Sequence, residues 1–104
     1  MKYELSLREV FGRQLADGDK AAEFGLGRID PYVDICSEIV IDFTGVRNAN
    51  SSFVNALVSG LVEKHGEDVL KVLVFKGCNP AIRVLVESAV SLGLRKAEAY
   101  SRAC

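Results

Sequence analysis

The stretch "EIVIDFTGVRNANSSFVNAL", residues 38–57, decides the fold that this chain can adopt. Its first six residues, 38–43, are rich in Val and Ile and almost continuously apolar, a pattern typical of a strand buried on both faces. A short polar loop follows, and from residue 51 the apolar residues recur with helical spacing. The stretch therefore predicts a buried strand, a loop and a helix in direct succession.

The flanking residues extend this pattern into an α/β domain. Residues 69–75, "VLKVLVF", repeat the buried-strand pattern, so a βαβ unit with parallel strands and a right-handed crossover is predicted. Asn79 and Pro80 are typical of a helix cap and of the first helical position. Residues 2–7, "KYELSL", alternate as a half-buried or edge strand does. We predict one small domain over residues 1–104, with a mainly parallel or mixed sheet and helices packed on it.

The segment between the first strand and residue 38 is less regular. Residues 15–38 contain helix-forming residues interrupted by Gly25 and Gly27. We expect two short helical pieces there, the second capped by Asp30.

Two features of the helices leave a choice open. The last helix is expected to stop at Gly93, and the tail at 95–104 then either adds a last short strand or frays. Val58 and Val62 widen the apolar arc of the helix that begins at residue 51. Either the N-terminal segment or a partner protein must cover that excess.

The composition argues against several classes of protein. The chain has 104 residues, of which 49% are hydrophobic, and this is enough for a core without a disulfide or a metal. Its formal net charge is -1 with scattered charges, which argues against nucleic-acid and anionic-membrane binding. Neither a signal peptide nor a membrane span is predicted. The three cysteines have no CxxC spacing, so we expect reduced thiols in the cytoplasm and no metal site.

The polar loop carries the candidate functional residues. Sites in open α/β sheets gather beyond the carboxyl ends of the strands, and a helix start favours an anion there. Ser51 and Ser52 open the predicted helix, so they either cap it or carry a phosphate that is added and removed. Arg47 and Lys76 follow the two strands and are either phosphate contacts or solvated charges. The remaining candidates for a partner or ligand surface are Asp42, Thr44, Gly45, Asn50 and Phe53.

The strings "DFTGV", residues 42–46, and "SSF", residues 51–53, give the chain a resemblance to a known family. Residues 38–94 resemble the bacterial STAS-like domain family of undefined function, whose pattern is "IDFxGV" followed by "SSF" and a helix. That family is related to the STAS domains of anti-sigma-factor antagonists. The resemblance implies a non-enzymatic module that works by binding a protein, with a kinase-type ATPase acting as an anti-sigma-like regulator as its partner.

The same resemblance implies a role for the two serines. In the antagonists the matching stretch reads Asp-Ser-Ser-Gly, and the partner kinase phosphorylates its first serine, which corresponds to Ser51, with Ser52 following it. This chain has Asn50 in place of the acidic residue and Phe53 in place of the glycine. The first change removes a negative charge beside the acceptor, and the second adds bulk there.

Two other side chains bear on catalysis. His65 lies about 20 Å from Ser51 along the predicted helix, so the two cannot form a hydrolase pair, and the dipole at the helix C-terminus is a sufficient reason for a histidine. Cys78 lies at a strand-to-helix turn. It is either a thiol whose pKa the helix N-terminus lowers or a small buried hydrophobe.

We therefore predict a cytoplasmic regulatory interaction module that is not an enzyme and has no cofactor. The alternative is a small-molecule or nucleotide sensor that uses the loop from Asp42 to Ser52, with Lys76 as a phosphate contact. An enzyme with Cys78 as nucleophile is a third reading. The sequence leaves open whether the protein forms a homodimer.

Overall fold

The computed structural model describes residues 2–102, and its framework is a small parallel sheet. The strands are β1 (Lys2–Ser6), β2 (Gln14–Leu15), β3 (Glu38–Asp42), β4 (Asn48–Ala49) and β5 (Leu73–Lys76). The three longer strands form a parallel sheet in the order β1-β3-β5, and β2 pairs in parallel with β4. The predicted parallel α/β fold is confirmed.

Helical segments connect these strands, except that a loop joins β3 to β4. The α-helices are α1 (Leu7–Phe11), α2 (Gly18–Phe24), α3 (Ser51–Val54), α4 (Gly60–His65) and α5 (Pro80–Arg102). A π-helical turn, Asn55–Ser59, joins α3 to α4, so residues 51–65 form one continuous helix, called the central helix below. A 3-10 helix, Gly66–Lys71, leads from the central helix to β5.

The helices pack on one face of the sheet. Ile39 and Ile41 of β3 belong to the hydrophobic core, whereas Val40 between them lies outside it on the opposite face and is still only 3% exposed. On that outer face Glu4 of β1 and Lys76 of β5 reach across β3, and their charged atoms lie 3.6 Å apart. Because it is the central strand, β3 is buried on both faces as predicted.

The second predicted strand differs from the structure. Residues 69–71 lie in the 3-10 helix, and β5 begins only at Leu73. Val69 reaches the core from the 3-10 helix and Leu73 reaches it from the strand, so one apolar run serves two elements. β5 is an edge strand rather than a doubly buried one, and its Val74 is 39% exposed.

The helical run that begins with α2 is also continuous where two pieces were predicted. It passes through a π-helical turn, Gly25–Ile29, into a 3-10 turn, Asp30–Tyr32. Gly25 is buried, and an added Cβ there would lie 3.5 Å from Leu57 Cδ1, so this glycine lies against the central helix instead of breaking α2.

Asp30 has a different role from the predicted cap. Its carboxylate accepts a hydrogen bond from Lys64 Nζ at 2.7 Å and lies 2.5 Å from His65 Nε2. The Lys64 bond, followed by the His65 contact, lowers the pKa of Asp30 below its ordinary value. His65 does lie at the end of a helix, but its partner comes from a distant part of the chain, which local sequence could not reveal.

The wide apolar arc of the central helix is covered by the chain itself. Val58 and Val62 are completely buried. The central helix packs against α2 on one side and against α5 on the other. The alternative of a partner protein covering these valines is therefore wrong.

The last helix does not stop at Gly93. α5 continues to Arg102, so residues 95–102 are helical instead of forming a strand, and Cys104 lies outside the described residues. Gly93 is buried, and an added Cβ there would lie 2.7 Å from Val62 Cβ and 2.9 Å from the Ser59 carbonyl oxygen. Its function is to let α5 approach the central helix closely.

Two kinds of feature are missing from the part of the chain that the structure describes. None of the helices there is both long enough and apolar enough to cross a membrane. Among residues 2–97, whose side chains the structure describes, no three His, Cys, Asp or Glu side chains come together in a way that could hold a metal ion.

Candidate functional site

The loop between β3 and the central helix, residues 43–50, lies at the carboxyl edge of the sheet. Phe43 and Val46 are buried in the core and anchor the loop from below. Thr44 lies between these two anchors and Arg47 follows the second one, and both residues are exposed. The loop is therefore a short, well-anchored surface and not a long flexible segment.

Asp42 holds the first turn of this loop. Its Oδ1 accepts hydrogen bonds from the Thr44 backbone N–H at 2.8 Å and from Thr44 Oγ1 at 2.6 Å, which is a common turn arrangement for aspartate. The Thr44 hydroxyl is the main cause that lowers the pKa of Asp42, and the backbone bond and the nearby Lys76 act in the same direction. The carboxylate is ionised at neutral pH and is already used to shape the loop.

A second loop, after β5, packs directly on this turn. Gly77 has φ +70, and an added Cβ there would collide with Thr44 Oγ1 and lie 2.7 Å from the Thr44 backbone nitrogen. Asn79 Nδ2 donates to the Arg47 carbonyl oxygen at 3.2 Å. Asn79 Oδ1 also accepts from the Ile82 N–H at 2.9 Å, which confirms the predicted cap of α5. The two loops are thus one connected surface.

The N-terminal segment completes the surface, and this contribution was missed. Gly45 has φ +85, and a Cβ there would collide with the side chain of Arg8, which therefore crosses directly over the glycine. The Arg13 carbonyl oxygen accepts from the N–H groups of Arg47 at 2.9 Å and of Asn48 at 3.3 Å. The pairing of β2 with β4 involves only two residues on each strand, too few to leave a periodic signal in the sequence.

Asn50, not a serine, caps the central helix. Its Oδ1 accepts from the Phe53 N–H at 2.8 Å, and its Nδ2 donates to the Ala16 carbonyl oxygen at 2.8 Å. Ser51 and Ser52 are the first two residues of the helix and are exposed. Among the described residues, no hydrogen bond involves either serine hydroxyl.

We expect Asn50→Ala to lower the free energy of unfolding by about 1–2 kcal/mol, because it removes both the cap and the bond to the N-terminal segment. Ser51→Ala is the matched control and should change the free energy of unfolding by less than about 0.5 kcal/mol, since the hydroxyl has no partner to lose. Urea unfolding followed by circular dichroism measures both. Equal losses for the two variants would contradict the assignment of the cap to Asn50.

Two other predicted site residues lie elsewhere. Phe53 is 1% exposed and stacks edge-to-face with Phe11 at a ring-centroid distance of 5.0 Å, so its side chain belongs to the core and not to the loop surface. Lys76 lies at the carboxyl edge in register with Asp42, but its ammonium group pairs with Glu4 on the outer face of the sheet.

Cys78 does not have the lowered pKa that its helix N-terminus suggested. Burial raises the pKa of its thiol, the charge of Asp42 adds to the increase, and Arg83 opposes it. The thiol is therefore protonated at neutral pH, which disfavours a role as a nucleophile.

Taken together, the parallel three-stranded sheet and the helix that starts at its carboxyl edge after the "IDFTGV" strand and loop make this a small α/β domain. The chain belongs to the family described as STAS-like domain of unknown function (DUF4325), whose model matches residues 26–83. No curated protein and no solved structure matches the chain. The matched residues include β3, the loop, the central helix and β5, but not the N-terminal segment that completes the loop surface.

Proposed function

We propose that this domain is a non-catalytic regulatory module that docks on a protein partner through the loop surface, and that phosphorylation of Ser51 changes the binding. The loop surface consists of the exposed residues of the loop, the start of the central helix and the side chain of Arg8 above Gly45. Resemblance to anti-sigma-factor antagonists makes a kinase-type ATPase the expected partner.

The observation that carries this proposal is the division of roles at the start of the central helix. Asn50 supplies the cap, which leaves the hydroxyls of Ser51 and Ser52 exposed and without a structural bond. A serine that caps a helix cannot be modified without weakening the helix, whereas these two can. A phosphate in the first turn is also favoured by the helix dipole.

The neighbouring acidic residues favour Ser51 over Ser52 as the acceptor. Gly18 packs against Ser52, since an added Cβ on Gly18 would lie 3.3 Å from the Ser52 carbonyl oxygen and 3.7 Å from its Cβ. Asp17 and Asp19 flank Gly18 in the chain. A phosphate on Ser52 would meet the negative field of these carboxylates, which disfavours it.

The connection between the loops supports docking on a partner. The Asp42–Thr44 bonds, the contact of Gly77 with Thr44 and the bond from Asn79 hold the loop in one conformation before any partner arrives. A surface that is already ordered loses little conformational entropy on binding. The alternative of a nucleotide sensor gains no such support, because Lys76 lies between the carboxylates of Glu4 and Asp42, which repel a phosphate.

The test is peptide mapping by mass spectrometry of the full chain purified from its source cells under several growth conditions. We expect one phosphate on the peptide that contains both serines, lost in Ser51→Ala and retained in Ser52→Ala. The partner that copurifies with the wild-type chain should bind Ser51→Asp at least about tenfold more weakly, while the melting temperature of the variant stays unchanged.

Either of two results would overturn the proposal. One is a chain that carries no phosphate in any growth condition. The other is a copurifying partner whose affinity is the same for the wild type, Ser51→Asp and Arg8→Ala, because the loop surface would then take no part in binding.

A further inference from the structure

The sheet has two edge strands, β1 and β5, and the outer edge of β5 is bordered by a groove. The Ile39 N–H donates to the Val72 carbonyl oxygen at 2.8 Å, and the Phe43 N–H donates to the Lys76 carbonyl oxygen at 2.7 Å. In a parallel pair, alternate residues direct their backbone groups to opposite sides, so the N–H and C=O of Leu73 and Phe75 point away from β3. Within residues 2–102, no strand or loop pairs with these outward groups.

A groove follows this free edge. It has a volume of about 430 Å³ and lies between β5, the loop after it and the start of α5. Its lining combines apolar side chains with one cation and one anion. The lining residues are Phe75, Gly77, Cys78, Arg83, Val86 and Glu87.

We propose that a second copy of this chain occupies the edge, so that two β5 strands pair antiparallel about a twofold axis and one sheet continues through both copies. With the axis at Val74, the outward backbone groups of Leu73 meet those of Phe75 in the second copy, and the reverse pairing follows by symmetry. Val74 then lies opposite its own equivalent. That arrangement covers an apolar side chain that is 39% exposed in the single chain.

The charges on the rim are self-complementary in the same arrangement. Arg83 and Glu87 lie one helical turn apart on the side of α5 that borders the groove, and Arg83 Nε is 3.4 Å from Glu87 Oε1. A twofold axis normal to the sheet sets the two α5 helices side by side and antiparallel. Arg83 of each copy then faces Glu87 of the other. A surface with a single sign of charge would have been repelled by its own copy.

Sedimentation equilibrium of the full chain over a concentration series tests this pairing. We expect the wild type to approach twice the 11.3 kDa mass of one chain. Val74→Lys should shift it to the mass of one chain at concentrations at which the wild type is paired, because it sets two like charges directly opposite each other. Val84→Lys is the matched control, since Val84 is 60% exposed on α5 but does not line the groove, and it should keep the wild-type mass.

A charge exchange provides a second test that does not depend on Val74. Arg83→Glu and Glu87→Arg should each weaken pairing, and the double variant should restore it. A wild type that stays at the mass of one chain at every concentration would overturn the proposal. It would be overturned by that result even if the groove were found to bind an unrelated peptide. Pairing that survives Val74→Lys, or that is lost in Val84→Lys but not in Val74→Lys, would overturn it as well.

Discussion

Gly77→Ala is expected to lower the free energy of unfolding by about 4 kcal/mol. Two causes add. A residue with a Cβ is strained by about 1–2 kcal/mol in the left-handed region that Gly77 occupies at φ +70. The new Cβ would also collide with Thr44, lying 2.7 Å from its backbone nitrogen and 2.9 Å from its Cα.

Gly66→Ala separates these two causes. Gly66 also has a positive φ, +74, with ψ -168, a combination that essentially only glycine adopts, but nothing lies within 4 Å of an added Cβ. This control should lose about 1–3 kcal/mol in a urea titration, from backbone strain alone and without a collision. If both variants lost the same amount, the contact with Thr44 would contribute nothing.

The same variant has a second readout at the candidate site. Displacing Thr44 weakens the two hydrogen bonds that it donates to Asp42, and these bonds are the main reason for the low pKa of that carboxyl. The pKa of Asp42 should therefore rise towards its ordinary value in Gly77→Ala and stay low in Gly66→Ala. Carbon-detected NMR titration of the carboxyl groups measures this shift at one named residue.

Gly93→Ala is expected to lower the free energy of unfolding by about 3 kcal/mol, although alanine is the better helix former by about 1 kcal/mol. The added Cβ would lie within 3 Å of Val62 Cβ and of the Ser59 carbonyl oxygen. These atoms belong to a buried helix that cannot move away without opening its contacts with α2 and the sheet. In a domain of this size, the corresponding fall in melting temperature is roughly 10–20 °C.

Gly60→Ala is the matched control for this substitution. Gly60 is also helical, but it is exposed, and nothing lies within 4 Å of an added Cβ. The propensity gain then acts alone and should raise stability by about 0.5–1 kcal/mol. Thermal unfolding should therefore shift in opposite directions for the two variants. A stabilised Gly93→Ala would mean that α5 does not pack as closely on the central helix as the structure has it.

Several elements could be predicted from sequence because their signals lie within a few neighbouring residues. The apolar run at 38–43 gave the central strand, the spacing after residue 51 gave the central helix, and Asn79 with Pro80 gave the start of α5. The loop was placed at the carboxyl edge for the same reason, since it connects two elements whose order is fixed along the chain.

The errors in the prediction concern residues whose environment comes from distant parts of the chain. From local sequence, Gly93 fits a helix end and a point of close helix contact equally well. Only the position of the central helix against it decides between these two roles. Local sequence indicates that Asp30 is a helix cap. The fold instead brings Lys64 and His65 beside its carboxylate. The apolar run at 69–75 is divided between a 3-10 helix and a strand, because its two ends reach the core from these different elements.

The start of the central helix shows most clearly which features follow from local sequence and which follow from tertiary contacts. The sequence by itself determined that a helix begins where Asn50, Ser51 and Ser52 follow one another, because any of the three is a good cap. Only the tertiary structure decided which of them serves, since the segment at residues 15–16 accepts a bond from the Asn50 side chain and another from its N–H. Those contacts fix Asn50 as the cap and leave both serine hydroxyls exposed to solvent.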